Sequence, residues 1–282
     1  MIRDTFFDWH RFVNVCRKEM VEGWKANLLR MVLIYGVLAI PLIWNACIEY
    51  RSYSGRELDV ERAVWTFGGM LFLWGIVVMG SLSASFTMER MKTKTGRIST
   101  LMTPATMFEK FFARWLVFTF GFLVVYLVAY KLADWTRVLV LMVKYPEVNT
   151  IAQLPLGTYL VGGGEDVVAN SLTAFLGYRS FMAAMGGYFF LQSCYVLGSS
   201  IWPKNAFLKT FAIKMLLVVA YTLVGAMLAG WLIKGGNVDL DLPSYSQETA
   251  LALVTAFSFA LALFNWVLAY FRFKESEIIN RW

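Results

Sequence analysis

Six uninterrupted apolar runs of membrane-spanning length dominate this chain. A helix needs roughly 20 apolar residues to cross the hydrocarbon core of a bilayer, and each run is long enough. None shows the period-two alternation of a barrel strand, so the runs predict helices. The sequence therefore predicts an all-α, polytopic membrane protein with six transmembrane helices. The predicted spans cover residues 28–48, 63–86, 115–133, 180–201, 210–233 and 250–271.

Lysine and arginine are unevenly divided between the two sides that six spans define. If the N-terminus is cytoplasmic, 18 of the 26 basic residues lie in inner segments, while acidic residues concentrate in outer ones. By the positive-inside rule, we expect both termini in the cytoplasm and the chain in the plasma or inner cell membrane. The net charge of +7 then reflects topology. It favours contact with anionic membrane lipids and gives no indication of a nucleic-acid partner.

The segment before the first span, residues 1–27, predicts an amphipathic helix. Trp9, Phe12, Val13, Cys16, Met20 and Trp24 recur at helical spacing, and Arg11, Lys18, Glu22 and Lys25 fall on the other side. This pattern is typical of a helix lying in the inner membrane interface. A helix that packs on a partner's soluble surface is the alternative. At the other end of the chain, residues 272–282 form a predicted cytoplasmic tail.

The predicted spans lack residue types that several kinds of chemistry require. The only histidine, His10, lies in the N-terminal segment, which disfavours a histidine-dependent nucleophile within the bilayer. No Asp lies inside the six runs, which disfavours an aspartyl protease and proton-coupled transport. Cys16, Cys47 and Cys194 are scattered, so we expect neither a disulfide nor a metal site. No catalytic residue and no cofactor are predicted.

Small and polar residues mark places where helices could meet. Gly225 and Ala229 in the fifth span, and Ala256 and Ala260 in the sixth, have the spacing that allows close backbone approach. The second span carries several glycines and serines, which indicate either close packing or the wall of a polar pathway. The candidates for buried polarity within spans are Asn45, Gln192 and Asn265, with Lys214 near an inner end; such residues more often form interhelical hydrogen bonds than ligand sites.

The loop between the second and third spans, residues 88–114, is long and basic. It begins with Glu89, Arg90, Lys92, Lys94 and Arg97, and continues with Ile98, Leu101 and Met102 on a predicted short helix that breaks at Thr103 and Pro104. Thr106 and Glu109 then have the spacing of a capping box, which predicts the start of another helix. A loop that only reverses direction can be shorter. A solvated, positively charged turn remains the alternative to a contact surface.

Three short elements of this loop, together with the topology, resemble the permease subunit of type-2 ABC transporters. The matching elements are Glu89-Arg90, Thr103-Pro104 and Phe108-Glu109-Lys110, and the ending at 271–279 is also similar. In that family this loop carries a coupling helix that docks on an ATPase. The resemblance implies an exporter in which Ile98, Leu101 and Met102 fill a pocket on the ATPase.

The resemblance also implies that Arg90, Lys92 and Arg97 contact the rim of that pocket or the lipid headgroups. The chain contains no G-x-x-x-x-G-K-[ST] sequence, so ATP hydrolysis is expected in a separate ABC ATPase subunit and not in this chain. A second permease copy or a homologue would complete the pathway. The predicted long outer segment, residues 134–179, is expected to form interfacial or re-entrant helices. A membrane scaffold or sensor that recruits a soluble partner without transport is the alternative function.

Overall fold

The computed structural model describes residues 6–51, 57–146, 151–157, 178–234 and 247–276, and within these ranges the chain is helical with no β-strand. The helices are α1 (Trp9–Glu22), α2 (Trp24–Arg51), α3 (Glu57–Ser85), α4 (Lys94–Leu101), α5 (Met107–Leu116), α6 (Phe122–Lys144), α7 (Tyr178–Ile201), α8 (Ala206–Lys234) and α9 (Gln247–Lys274). A 3-10 turn, Glu89–Lys92, precedes α4, and a π-helical turn, Val117–Gly121, joins α5 to α6.

Among the described residues, six helical stretches are long and apolar enough to cross a membrane. They are Trp24–Arg51, Val60–Ser85, Met107–Lys144, Tyr178–Ile201, Ala206–Met227 and Thr249–Lys274. The predicted all-α, polytopic fold is therefore confirmed. We call the end of the bundle at which α3 finishes and α5 begins the α4 end; α1 packs there as well.

The third of these stretches is much longer than a bilayer requires. It joins α5, the π turn and α6 into 38 residues, about 57 Å at 1.5 Å per residue, against a hydrocarbon core of roughly 30 Å. The sequence predicts its end at Ala133, but the helix continues to Lys144. Asp134 therefore lies inside this helix and is fully buried. The six predicted runs contain no Asp, but the third helix extends beyond its run and includes Asp134.

Asp134 forms a buried ion pair with Arg137, one turn further along α6. The two side chains are 0% and 1% exposed, and Arg137 Nη2 lies 2.7 Å from Asp134 Oδ1. Asp134 Oδ2 accepts a hydrogen bond from the backbone N–H of Leu154 (3.0 Å), and Arg137 Nη2 donates to the carbonyl of Ala152 (2.8 Å). The pair thus satisfies two backbone groups of the segment 151–157, which packs into the core at the end opposite α4.

One half of the core is built where α2, α3 and α6 meet. The hydroxyl of Tyr126 donates to the carbonyl of Phe72 (2.8 Å), and that of Tyr130 to the carbonyl of Gly68 (3.0 Å). A methyl group at Gly75 would collide with the Tyr126 hydroxyl, so glycine is needed there for the tyrosine to approach α3. These contacts support close packing as the role of the α3 glycines, and not an open polar wall.

The other half of the core joins α7 to α9, and α8 lies beside α7 with most of its described apolar side chains exposed. Gly186 of α7 faces Ser258 of α9, where an added Cβ would lie 3.2 Å from the serine Cβ. Asn265 of α9 donates a hydrogen bond to Ser193 Oγ of α7 (3.0 Å). It therefore forms an interhelical hydrogen bond, the role that the sequence favours for it. Gln192 is fully buried, and its amide finds no hydrogen-bond partner among the described residues.

Candidate functional site

The loop between α3 and α5 folds into two tight, locally capped elements. After the 3-10 turn, Thr93 caps α4 by accepting a hydrogen bond from the backbone N–H of Gly96 (3.1 Å). An added Cβ at Gly96 would collide with the carbonyl of Arg90, so the close approach of this turn requires glycine. The 3-10 turn and the Thr93 cap therefore fix the position of α4 at the end of the bundle.

The next helix begins with the capping box that the sequence predicts. Thr106 accepts from the backbone N–H of Glu109 (3.2 Å), and Glu109 Oε2 accepts from the backbone N–H of Thr106 (3.0 Å). Glu109 also binds the N-terminal segment, because it accepts from the backbone N–H of Asp8 (2.8 Å) and from Arg11 Nε (2.8 Å). Its side chain is fully buried. One carboxylate thus starts α5 and anchors the beginning of α1.

Helix α1 packs on α5 through part of its apolar face. Phe12 and Val15 are buried against Ala113 of α5, with Phe112 alongside. The sequence predicts that Phe12 faces lipid. This prediction is wrong, because Phe12 is buried against α5. Trp9 and Met20 remain exposed, 64% and 55% respectively, as do Val13 and Trp24. These exposed apolar side chains on α1 and at the start of α2 suit a helix that lies in a membrane interface or packs on a partner, the two possibilities that the sequence predicts.

Charged side chains connect the 3-10 turn to α1 and α2. Arg90 forms ion pairs with Glu19 (Nε to Oε2, 3.3 Å) and Glu22 (Nη1 to Oε2, 2.5 Å) of α1. Arg30 of α2 pairs with Glu89. Glu89 and Arg90, predicted as part of a partner contact, are therefore engaged within the chain. Only a fraction of each side chain is left to meet another molecule.

Buried residues of α5 hold α4 in place. Arg114, 2% exposed, donates to Thr100 Oγ1 (2.8 Å) and pairs with Glu19 (Nη2 to Oε1, 3.1 Å). Lys110 Nζ donates to the carbonyl of Leu101 (2.8 Å). The sequence places these two cations among the inner basic residues but gives no sign of their burial. Such a sign would require knowing that α1 and α4 both pack on α5.

The three apolar residues predicted to face a partner take different positions. Met102 is 73% exposed, Ile98 is half-buried, and Leu101 packs against the cluster that includes Met91 and Phe111. Leu101 therefore contributes to the fold as well as to the surface. Among the other predicted contact residues, Lys92 and Pro104 are exposed and Arg97 is half-buried. Thr103 is also half-buried and accepts a hydrogen bond from Lys18 Nζ (2.8 Å).

Three of the four small residues predicted for helix packing are not packed against the part of the chain that the structure describes. A Cβ added at Gly225 would meet nothing within 4 Å, and Ala256 and Ala260 are exposed; the side chain of Ala229 lies outside the described residues. In α9 the contacts with α7 instead involve Ser258, Ala262 and Asn265. The faces bearing Gly225, Ala256 and Ala260 are thus available to another molecule or to lipid.

Cysteine chemistry has no evident role at this end. All three cysteines are free. Burial, and to a smaller extent the nearby Glu19 carboxylate, raise the pKa of the Cys16 thiol. A thiol with a raised pKa is a poorer nucleophile at neutral pH. Cys16 therefore acts as a small apolar residue in the contact between α1 and α5.

Comparisons with known proteins do not place the chain in a family. No family model, no curated protein and no solved structure matches it.

Proposed function

We propose that this chain is the permease subunit of an ATP-driven exporter of the type-2 ABC class, and that a separate ATPase docks on the α4 end. The observation that supports the proposal best is the form of the loop: a short helix capped by Thr93 has exposed Lys92 and Lys94 at its start and exposed Met102 and Pro104 at its end. A surface that carries an exposed apolar anchor and exposed charges is typical of a docking surface.

The connections of α4 also suit mechanical coupling. Arg90 ties the turn before α4 to α1, Glu89 ties it to α2, and Lys110 and Arg114 tie α4 to α5. Helices α2 and α5 begin the first and third membrane-spanning stretches. A push on α4 by a closing ATPase would therefore be carried into two spans. Alternating exposure of a pathway between two permease copies would follow from such a movement.

The docking surface can be tested with one substitution. Met102→Asp should release the ATPase, because losing a buried apolar anchor costs about 2 kcal/mol or more, about a thirtyfold loss of affinity. Met102→Leu, which keeps an apolar side chain of similar size, should retain it. Pull-down of the ATPase with the tagged chain is the measurement. Since Met102 is exposed, both variants should fold normally, whereas changing Leu101 would also disturb the core.

Two outcomes would contradict this assignment. If Met102→Asp still retains the ATPase at the level of Met102→Leu, then α4 does not dock it. If the unaltered protein captures no ATPase at all, the scaffold or sensor function replaces the transporter.

A second copy of the chain, or a homologue, is proposed to pair through the faces of α8 and α9 that carry small residues. Leucine at Gly225, Ala256 and Ala260 should convert a dimer to monomers, because bulk blocks close backbone approach. The same leucines should leave the thermal stability of the monomer unchanged, since these positions lack neighbours or are exposed within one copy. Crosslinking and particle mass in detergent measure the change. A dimer that survives the triple variant would exclude these faces.

The proposed orientation places α4 and both termini in the cytoplasm. A cysteine at Lys94, which is exposed at the α4 end, should resist a membrane-impermeant thiol reagent in intact cells. A cysteine at Arg51, exposed at the opposite end, should react. Lysed cells, in which both should react, provide the control. The reverse labelling pattern would invert the topology and remove the ATPase from reach of α4.

A further inference from the structure

A charged cavity of about 410 Å³ opens at the α4 end. It lies where the junction of α1 and α2, the end of α3, the helix α4 and the π turn surround a common space. The charged side chains that line it are Glu19, Glu22, Arg30, Glu89, Arg90 and Arg114. Its volume falls within the range of about 300–1,000 Å³ found for small-ligand sites.

The most buried of these side chains is short of hydrogen-bond acceptors. Arg114 is 2% exposed, and its Nη1 is buried without a hydrogen-bond partner among the described residues. The carboxylate of Glu19, its one ion-pair partner there, also serves Arg90. A buried guanidinium that shares a single carboxylate is incompletely compensated for its lost hydration. Arg114 thus gives the wall of the cavity a buried positive charge that one shared carboxylate neutralises only in part.

The other two arginines of the cavity, Arg30 and Arg90, are positioned to contact an anion together with Arg114. The guanidinium of Arg30 lies over the ring of Phe86, with 4.4 Å between its Cζ and the ring centroid, and near Phe118 at 5.6 Å. Stacking on aromatic rings fixes the plane of the group. Arg30 pairs with Glu89, and Arg90 pairs with Glu22 in addition to Glu19; the side chains of Glu89 and Glu22 are 45% and 42% exposed. Such exposed pairs are weak, so an incoming anion can displace these carboxylates toward water.

We propose that this cavity binds a phosphate group, carried by an anionic phospholipid headgroup or by a soluble phosphate. A phosphate group binds a guanidinium through two parallel hydrogen bonds, as a carboxylate does, but its additional oxygens let it contact more than one of the three arginines at once. The exposed apolar residues Trp24 and Leu28 flank the junction of α1 and α2. They would place a lipid headgroup at the correct level of the interface.

The binding would affect the whole loop between α3 and α5. A phosphate between Arg90 and Arg114 bridges the 3-10 turn to α5, while both arginines also contact α1 through Glu19. This bridging does not depend on an ATPase. It would strengthen the attachment of α1 and α4 to the bundle in any function that uses this end.

Titration of the detergent-solubilised full chain tests the proposal. In one arm, a short-chain phosphatidylglycerol is added while thermal stability is followed by tryptophan fluorescence; in the second, phosphatidylcholine is added; in the third, inorganic phosphate at constant ionic strength. Saturable stabilisation by phosphatidylglycerol and not by phosphatidylcholine supports the lipid source. Stabilisation by inorganic phosphate without a difference between the two lipids supports the soluble source. No saturable effect in any arm overturns the proposal.

Two variants and a control locate the site. Arg90→Gln should weaken binding about tenfold, since it removes one charge-assisted contact. Lys92→Gln removes the same charge from the neighbouring exposed surface and should leave the affinity unchanged. Ser99→Glu, at an exposed position in the lining, keeps every arginine and should weaken binding by adding a like charge. Retention of full affinity by both Arg90→Gln and Ser99→Glu, in protein that folds normally, would place any bound phosphate elsewhere.

Discussion

A chain carrying Asp134→Ala is expected to lose about 3–5 kcal/mol of folding free energy. The substitution leaves the Arg137 guanidinium buried, 1% exposed, without its carboxylate. It also removes the acceptor for the backbone N–H of Leu154, so the segment 151–157 loses a bond to α6. An uncompensated buried charge and an orphaned buried donor act in the same direction.

Thermal unfolding of the purified protein in detergent measures this loss. Lys144→Ala, which removes an exposed charge from the end of the same helix, is the control and should change stability by less than about 1 kcal/mol. The double variant Asp134→Leu with Arg137→Met should be more stable than Asp134→Ala, because no charge is left buried. If Asp134→Ala unfolds at the same temperature as the control, the pair does not hold the segment.

Glu109→Ala is the second substitution with a large expected effect, about 2–4 kcal/mol. The loss combines one side of the capping box with the charged hydrogen bonds to Arg11 and the bond to the backbone of Asp8. Because these bonds fix the start of α1 to α5, trypsin should cut α1 at Arg17 or Lys18 faster than in the unaltered protein.

The control for Glu109 is Glu22→Ala, which removes a carboxylate of α1 that is 42% exposed. It should cost less than about 1 kcal/mol and leave the start of α1 protected. Equal rates of tryptic cleavage in Glu109→Ala and in the unaltered protein would show that other contacts hold α1. Those contacts are the packing of Phe12 and Val15 on Ala113 and the ion pairs of Glu19 with Arg90 and Arg114.

The features that depend on local sequence could be predicted. Apolar runs of sufficient length give six spans because a helix is the form in which a lipid-exposed segment satisfies its own backbone. The capping box at Thr106 and Glu109 could be predicted because its two hydrogen bonds lie within one turn. Each of these needs no knowledge of a neighbouring element.

The features that depend on contacts between distant segments could not be predicted from the sequence. The end of the third span was misplaced because Asp134 and Arg137 interrupt hydropathy, whereas in the fold they neutralise each other and bind 151–157. The inward face of Leu101 and the burial of Arg114 follow from how α4 and α1 pack on α5. The face of α1 bearing Phe12 was assigned to lipid because an amphipathic pattern does not distinguish a bilayer from a neighbouring helix.

The π turn in the third span determines which side of α6 faces the protein. A π turn accommodates one residue more than an α-helical turn, so it offsets the helical phase by about 100° relative to an uninterrupted α-helix. With this offset Tyr126, Tyr130 and Asp134 face α3 and the segment 151–157. A helical wheel drawn from Met107 to Lys144 at constant pitch would turn these residues away from their partners. The π turn, Val117–Gly121, thus sets the rotation of α6 relative to α5. It lets α5 face α1 and α4 at one end of the bundle while α6 faces the segment 151–157 at the other.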